Sequence, residues 1–146
     1  MANLVLVDDH VLLRQGLAGL INDFGDTVLF EADNGEDFIA KLEKLQPDQL
    51  PDVVLMDINM PVMDGYDTCK WLKKNYPAVK VLALSMYDAE SSILKMLNCG
   101  ARGFILKDFE PPELKAAIRE LSDKGYYYSG FVNPSLIDSI NRAGFG

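Results

Sequence analysis

The chain has 146 residues, a length that favours one folded domain, and its 49% hydrophobic content is that of an ordinary globule with a sizeable core. The formal charge is −8, from 22 acidic and 14 basic residues spread along the chain, so the surface repels a phosphate backbone and argues against direct binding of DNA or RNA. Two aspartates break the first apolar run after residue 7, which fits neither a signal peptide nor a membrane span and leads to the expectation of a cytoplasmic protein.

The first apolar run, residues 4–7, is followed by helical spacing in Leu12, Leu13, Leu17, Leu20, Ile21 and Phe24. A second run, 27–30, precedes a stripe of Phe38, Ile39, Leu42 and Leu45, with Asp37, Lys41 and Lys44 outside it. After the run 53–56, Asp64-Gly65 opens a third helix that carries Tyr66, Cys69, Trp71 and Leu72 and stops near Tyr76-Pro77. The run 79–84 leads to a helix over 89–98, which Gly100 can close in a left-handed cap. The run 103–106 is followed by Pro111-Pro112 and a helix over 113–124, with Leu114, Ala117, Ile118 and Leu121 inward and Gly125 behind it. Cys69 and Cys99 lie too far apart for a CxxC motif, and both sit in apolar-periodic segments, so they read as reduced core thiols.

The apolar runs are short, rich in Val, Ile and Leu, and lack clean polar alternation, which suits strands buried on both faces of a parallel sheet. Strand and helix alternate five times, which predicts an α/β fold built as a right-handed βαβ series with helices on both faces. Beyond Gly125 the character changes. Residues 126–131 are aromatic and glycine-flanked, and Leu136, Ile137 and Ile140 give a short helical stripe over 133–141. This stretch reads as a linker or short terminal helix that leads to a further domain.

Ligands in such sheets sit at the carboxyl ends of the strands, beside the point where strand order reverses. Asp8 and Asp9 end the first run, Asp57 the third, Ser85 the fourth and Lys107 the fifth, so all five open onto one crevice. Three carboxylates a few ångströms apart repel by roughly 4 kcal/mol per close pair at an effective dielectric near 20. Such a cluster calls for a hard divalent cation, and Mg²⁺, which shares its shell with phosphoryl oxygens, fits best. Asp57 then has the position of a nucleophile toward phosphorus. Asp8 and Asp9 would hold the metal with Asp57 and the backbone carbonyl of Asn59, while Ser85 and Lys107 would bind phosphoryl oxygens. Taken singly, each residue has a plainer reading. Asp8 or Asp9 could cap the helix that begins near His10, Ser85 could bond to nearby backbone, and Lys107 could be solvated. His10, the only histidine, lacks partners at ligand or triad spacing and reads as a helix-start residue at the rim.

Residues 4–10 (LVLVDDH), 55–65 (LMDINMPVMDG), 83–86 (ALSM) and 103–108 (GFILKD) resemble the receiver domain of bacterial two-component response regulators. The likeness covers 3–124, and the Asp-Asp-His opening with Leu-Lys-Asp at the fifth strand is most similar to the branch with a LuxR-type helix-turn-helix output domain. The resemblance implies a flavodoxin-like, three-layer sandwich of five parallel strands in the order 2-1-3-4-5 with five helices. It implies a receiver over 1–124 and a segment 125–146 leading to an output domain absent from this chain. It further implies Asp57 as phospho-acceptor, Asp8 and Asp9 as Mg²⁺ ligands, Lys107 as phosphate-binding lysine, and Ser85 and Phe104 as the switch pair. The phosphoryl donor would be a sensor histidine kinase or a phosphotransfer protein, and pairing of two copies through helices one and five is implied as well. A signalling protein rather than a turnover enzyme is expected. An aspartyl-phosphate phosphatase would place a second aspartate where Asn59 stands, and a flavin carrier would need a phosphate-cradling loop where Asp8-Asp9 puts repulsion.

Overall fold

The structure, a computed structural model, describes residues 2–86 and 90–128, with side chains within those spans except at 90–92 and 128. In chain order the elements are β1 (Asn3–Val7), α1 (Val11–Asp23), β2 (Thr27–Ala32), α2 (Gly35–Leu42), a single 3-10 turn (Pro47–Gln49), β3 (Val53–Asp57), α3 (Gly65–Asn75), β4 (Lys80–Ser85), α4 (Glu90–Asn98), β5 (Gly103–Leu106), α5 (Pro111–Lys124) and β6 (Tyr127–Tyr128). The sheet order is β2-β1-β3-β4-β5-β6, and every neighbouring pair is parallel. The expected five-stranded order is therefore present, with strand order reversing between β1 and β3.

A sixth strand, Tyr127–Tyr128, lies at the start of the segment 125–146 expected as a linker or short terminal helix, and it extends the sheet past residue 124. Its cause lies in β5. Tyr127 N–H donates to the Arg102 carbonyl at 2.9 Å, and a Cβ on Gly103 would come within 3.1 Å of the Tyr127 carbonyl, so glycine there admits the extra strand. The short helix expected over 133–141 lies outside the described residues.

Alternating residues of each central strand feed two cores. Val5, Val7, Val54, Met56, Val81, Ala83 and Phe104 face Phe38, Cys69, Leu72, Ile93 and Met96 of α2, α3 and α4. Leu4, Leu6, Leu55, Leu82, Leu84 and Ile105 face Leu17, Ile21, Leu114, Ile118 and Leu121 of α1 and α5. The crowded three-helix face takes mostly the smaller strand residues, and the two-helix face is filled chiefly with leucine. Each fully buried Leu contributes about 2 kcal/mol of transfer free energy. β2, by contrast, is an edge strand with a half-exposed pattern, so its expected two-sided burial is incomplete.

Several boundaries moved for local reasons. α2 begins at Gly35 because the Asn34 side chain accepts the Asp37 N–H as N-cap, and it ends at Leu42, leaving Leu45 packed on the core from beyond the helix. α5 starts at Pro111, whose missing N–H costs nothing in a first turn, and Gly125 closes it with φ +87°. Neither Asp8 nor Asp9 caps α1. His10 is the N-cap and makes no side-chain capping bond. Both cysteines are free and buried, and burial pushes the Cys69 thiol up to about 12. No helix among the described residues is long and apolar enough to cross a membrane.

Candidate functional site

Three parallel strands deliver carboxylates and a lysine to one end of the sheet. Val7 of β1 is in register with Met56 of β3, which places Asp8 beside Asp57, the last residue of β3. Lys107 follows β5 directly, and its N–H donates to the Ser85 carbonyl at 2.8 Å, fastening it to the end of β4. Asp8, Asp57 and Ser85 are all buried, with 1%, 2% and 2% exposure, whereas Asp9 is exposed.

Lys107 Nζ stands 3.0 Å from Asp57 Oδ1 and 3.5 Å from Asp8 Oδ2. One oxygen each of Asp8, Asp9 and Asp57 lies within 4.8 Å of the others. Asp8 Oδ1 accepts the His10 N–H at 2.8 Å, while buried Asp8 Oδ2 has no hydrogen-bond partner. Buried carboxylate oxygens without a hydrogen bond are uncommon in folded proteins and call for a physical explanation, such as a catalytic role, a water or an ion. Burial above all, and then the Asp8 charge, push the Asp57 carboxyl up to about 6 against the pull of Lys107. One lysine thus does not neutralise this cluster. The donor set is all oxygen, converges on a small volume, and includes an unsatisfied buried oxygen, which together fit a hard divalent cation.

The remaining expected site residues fall around this centre. Asn59 is exposed on the β3–α3 loop, and its N–H donates to Asp57 Oδ1 at 3.3 Å. Phe104 is fully buried among the side chains of the three-helix face, in register with Ala83 of β4. His10 is exposed at the rim as expected, and so is Met86, 68% exposed just past Ser85.

The β3–α3 loop is built for close approach. Met63 N–H donates to the Pro61 carbonyl at 2.7 Å across Val62, whose φ of +69° is unusual for a β-branched residue. Gly65 N–H donates to the Ile58 carbonyl at 2.9 Å, and a Cβ at Gly65 would collide with the Asp57 carbonyl oxygen. Glycine therefore lets the start of α3 press on the strand end that carries Asp57. Asp64 caps that helix by accepting the Asp67 N–H at 3.0 Å.

Two polar residues beside or beneath this architecture escaped the sequence reading. Arg14 joins α1 to the ends of β1 and β2, and its only sequence signal is a basic residue in an otherwise apolar helix turn. Asp26 is buried at the opposite end of the sheet and pairs with Arg119, 93 positions away, a contact that no local pattern announces.

A family model described as the response regulator receiver domain matches residues 4–119. The chain is 36% identical to the nitrate/nitrite response regulator protein NarL of Escherichia coli strain K12, over 97% of this chain and 65% of that protein. It is 35% identical to the transcriptional regulatory protein DegU of Brevibacillus brevis, over 95% of this chain and 58% of that protein. A solved two-component response regulator of the LuxR family from Aurantimonas sp. SI85-9A1 superposes with a TM-score of 0.79 at 26% identity, covering 100% of this chain and 99% of that one. The chain thus spans 58% and 65% of the length of those two curated relatives. Fold, family model and relatives agree: the chain belongs to the response regulator receiver domain family, in its LuxR-type branch, and so to the phosphorylation-dependent signalling domains of two-component systems.

Proposed function

We propose that this domain is switched by transfer of a phosphoryl group to Asp57, with Mg²⁺ held by Asp8, Asp9, Asp57 and the backbone carbonyl of Asn59. The observation that carries this reading is the convergence of one oxygen each of Asp8, Asp9 and Asp57 within 4.8 Å, with buried Asp8 Oδ2 lacking a hydrogen bond and Lys107 3.0 Å from Asp57. Bound there, the divalent ion supplies charge neutralisation and polarises phosphoryl oxygens.

The chain's own residues perform the rest. Asp57, ionised above about pH 6, offers a carboxylate lone pair to phosphorus. The P–O bond to Asp57 forms as the bond from phosphorus to the donor atom breaks, and the donor leaves with that electron pair. Lys107, already paired with Asp57, keeps its ammonium beside the added charge, and the Ser85 hydroxyl binds another phosphoryl oxygen. Ser85 moves toward the phosphate, and Phe104 shifts in the space behind it, so that new charge-assisted bonds bias a pre-existing equilibrium. About 5.5 kcal/mol of differential stabilisation carries such an equilibrium from 1:99 to 99:1.

In this reading the donor is a phosphohistidine on a sensor kinase or phosphotransfer protein in the cytoplasm. Residues 1–124 with β6 form the receiver, and the later residues lead to an output domain that acts on transcription, with pairing of copies through α1 and α5. Intact-mass measurement after incubation with acetyl phosphate and MgCl₂ tests the core of it. One phosphoryl group is expected on the wild type and none on Asp57→Asn. A gain that persists in Asp57→Asn, or no gain at all, rejects Asp57 as the acceptor, and sustained turnover of phosphomonoesters would mark a phosphatase instead.

A further inference from the structure

Arg14, in the first turn and a half of α1, plays no part in the chemistry proposed above, yet it touches the site from below. Its side chain is 13% exposed, and Nε donates to Glu31 Oε1 at 2.8 Å. Nη1 reaches Asp33 Oδ1 at 2.6 Å, the Asp8 carbonyl at 2.7 Å and the Ala32 carbonyl at 3.2 Å. The two carbonyls mark where β1 and β2 part company. Asp8 N–H donates to the Ala32 carbonyl at 3.1 Å beyond the last paired residues, Val7 and Ala32, and past that bond the main chain must turn into α1.

Asp8 is consequently gripped twice. Its main-chain carbonyl is held by Arg14, and its side-chain Oδ1 is held by the His10 N–H at 2.8 Å. Asp9 hangs on the peptide between these grips, and as an exposed residue it has little packing of its own to set its direction. The orientation of the Asp8–Asp9 peptide therefore governs where the third carboxylate stands relative to the two buried ones. An ion pair with Glu31 and Asp33 alone would leave both carbonyls to other partners. Nε serves Glu31 while the two N–H groups of Nη1 are shared among Asp33 and the two carbonyls, a planar arrangement of two nitrogens that a single ammonium does not reproduce.

We propose that Arg14 is a positioning residue for the divalent-cation site: its guanidinium fixes the Asp8–Asp9 peptide at the carboxyl end of β1 and thereby sets how tightly the three carboxylates take the cation. The inference rests on the metal-site reading above. Groups behind metal ligands commonly change affinity 10- to 100-fold when removed.

Titration of MgCl₂ into the metal-free, ¹⁵N-labelled chain, followed at the backbone amides near Asp57, tests it in four proteins: wild type, Arg14→Gln, Arg14→Lys, and Glu31→Gln combined with Asp33→Asn. Arg14→Gln is expected to weaken Mg²⁺ binding about 10-fold or more, with the Asp9 and His10 amide resonances displaced before metal is added. Arg14→Lys keeps the charge and recovers only part of the loss. The paired acidic variant keeps the carbonyl contacts and stays within about threefold of wild type, a smaller change than loss of the grip itself. Wild-type affinity in Arg14→Gln, or an equal loss in the acidic variant, overturns the proposal. If Arg14→Gln fails to fold, wild-type affinity in Arg14→Lys overturns it instead. A wild type with no saturable response to Mg²⁺ would reject the metal site itself, and this inference with it.

Discussion

The two ends of the sheet hold buried aspartates in opposite condition. At the amino end, Asp26 is 4% exposed, and both of its oxygens accept from Arg119 Nη1, at 2.9 and 2.7 Å. Its Oδ1 also accepts the Ala2 N–H at 2.8 Å, and Arg119 Nη2 donates to the Phe24 carbonyl at 3.0 Å. At the carboxyl end, Asp8 keeps an oxygen with no hydrogen-bond partner, and Asp57 is held well above the usual carboxylate range. One end is closed and structural, tying β1, the α1–β2 loop and α5 together. The other leaves a buried oxygen without a hydrogen bond beside a second buried carboxylate, with a single lysine between them. Burial alone does not identify a functional acid; the state of its lone pairs does.

The contrast can be broken first at the amino end. Arg119→Ala leaves Asp26 buried without its cation and should cost roughly 2–4 kcal/mol in urea unfolding, at the lower side of the buried-pair range because Arg119 is 35% exposed. The surviving folded fraction should still accept a phosphoryl group from acetyl phosphate. Loss of acceptance without loss of stability would put Arg119 in the wrong category.

A smaller effect of opposite sign is expected at the carboxyl end. Because the Asp57 carboxyl lies above its unfolded value, the folded state holds a proton more readily than the unfolded chain does. The stability this lends is complete below about pH 4 and is lost as pH rises through about 6, by roughly 2–3 kcal/mol. Unfolding of the metal-free chain across that window should show this fall superimposed on the titration of other groups. Asp57→Asn should flatten it and be the more stable protein near neutral pH. Equal slopes in the two proteins would mean that Asp57 does not bear the strain. Least is expected from the exposed Lys124–Glu120 pair on α5, 3.2 Å apart, where Lys124→Ala should change stability by less than about 0.5 kcal/mol.

The fold was readable because its signals are local. Runs such as 4–7 and 53–56 announce buried strands, Pro111 and Gly125 bracket α5, and Asp64 opens α3 as a cap. The site was readable for a related reason. Polar residues that follow apolar runs at their carboxyl ends lie at the carboxyl edge of a parallel sheet, so the sequence itself groups Asp8, Asp57, Ser85 and Lys107. Edge strands were harder. The half-exposed β2 mixes signals, and β6 is two residues long and depends on Gly103 opposite it.

By itself, the order of residues determined the alternation of strands and helices, the two packing faces and the edge on which the charged groups meet. Each of these follows from periodicity and chain direction, which are properties of neighbours in sequence. Tertiary structure alone decided which carboxylate oxygen is left without a hydrogen bond, that Arg14 clasps the Asp8 carbonyl, and that Asp26 meets Arg119 across 93 positions. Those outcomes depend on the exact placement of polar atoms on separate elements of the fold. Hydrogen bonding and Coulomb energy depend steeply on that placement, whereas hydrophobic patterning barely registers it.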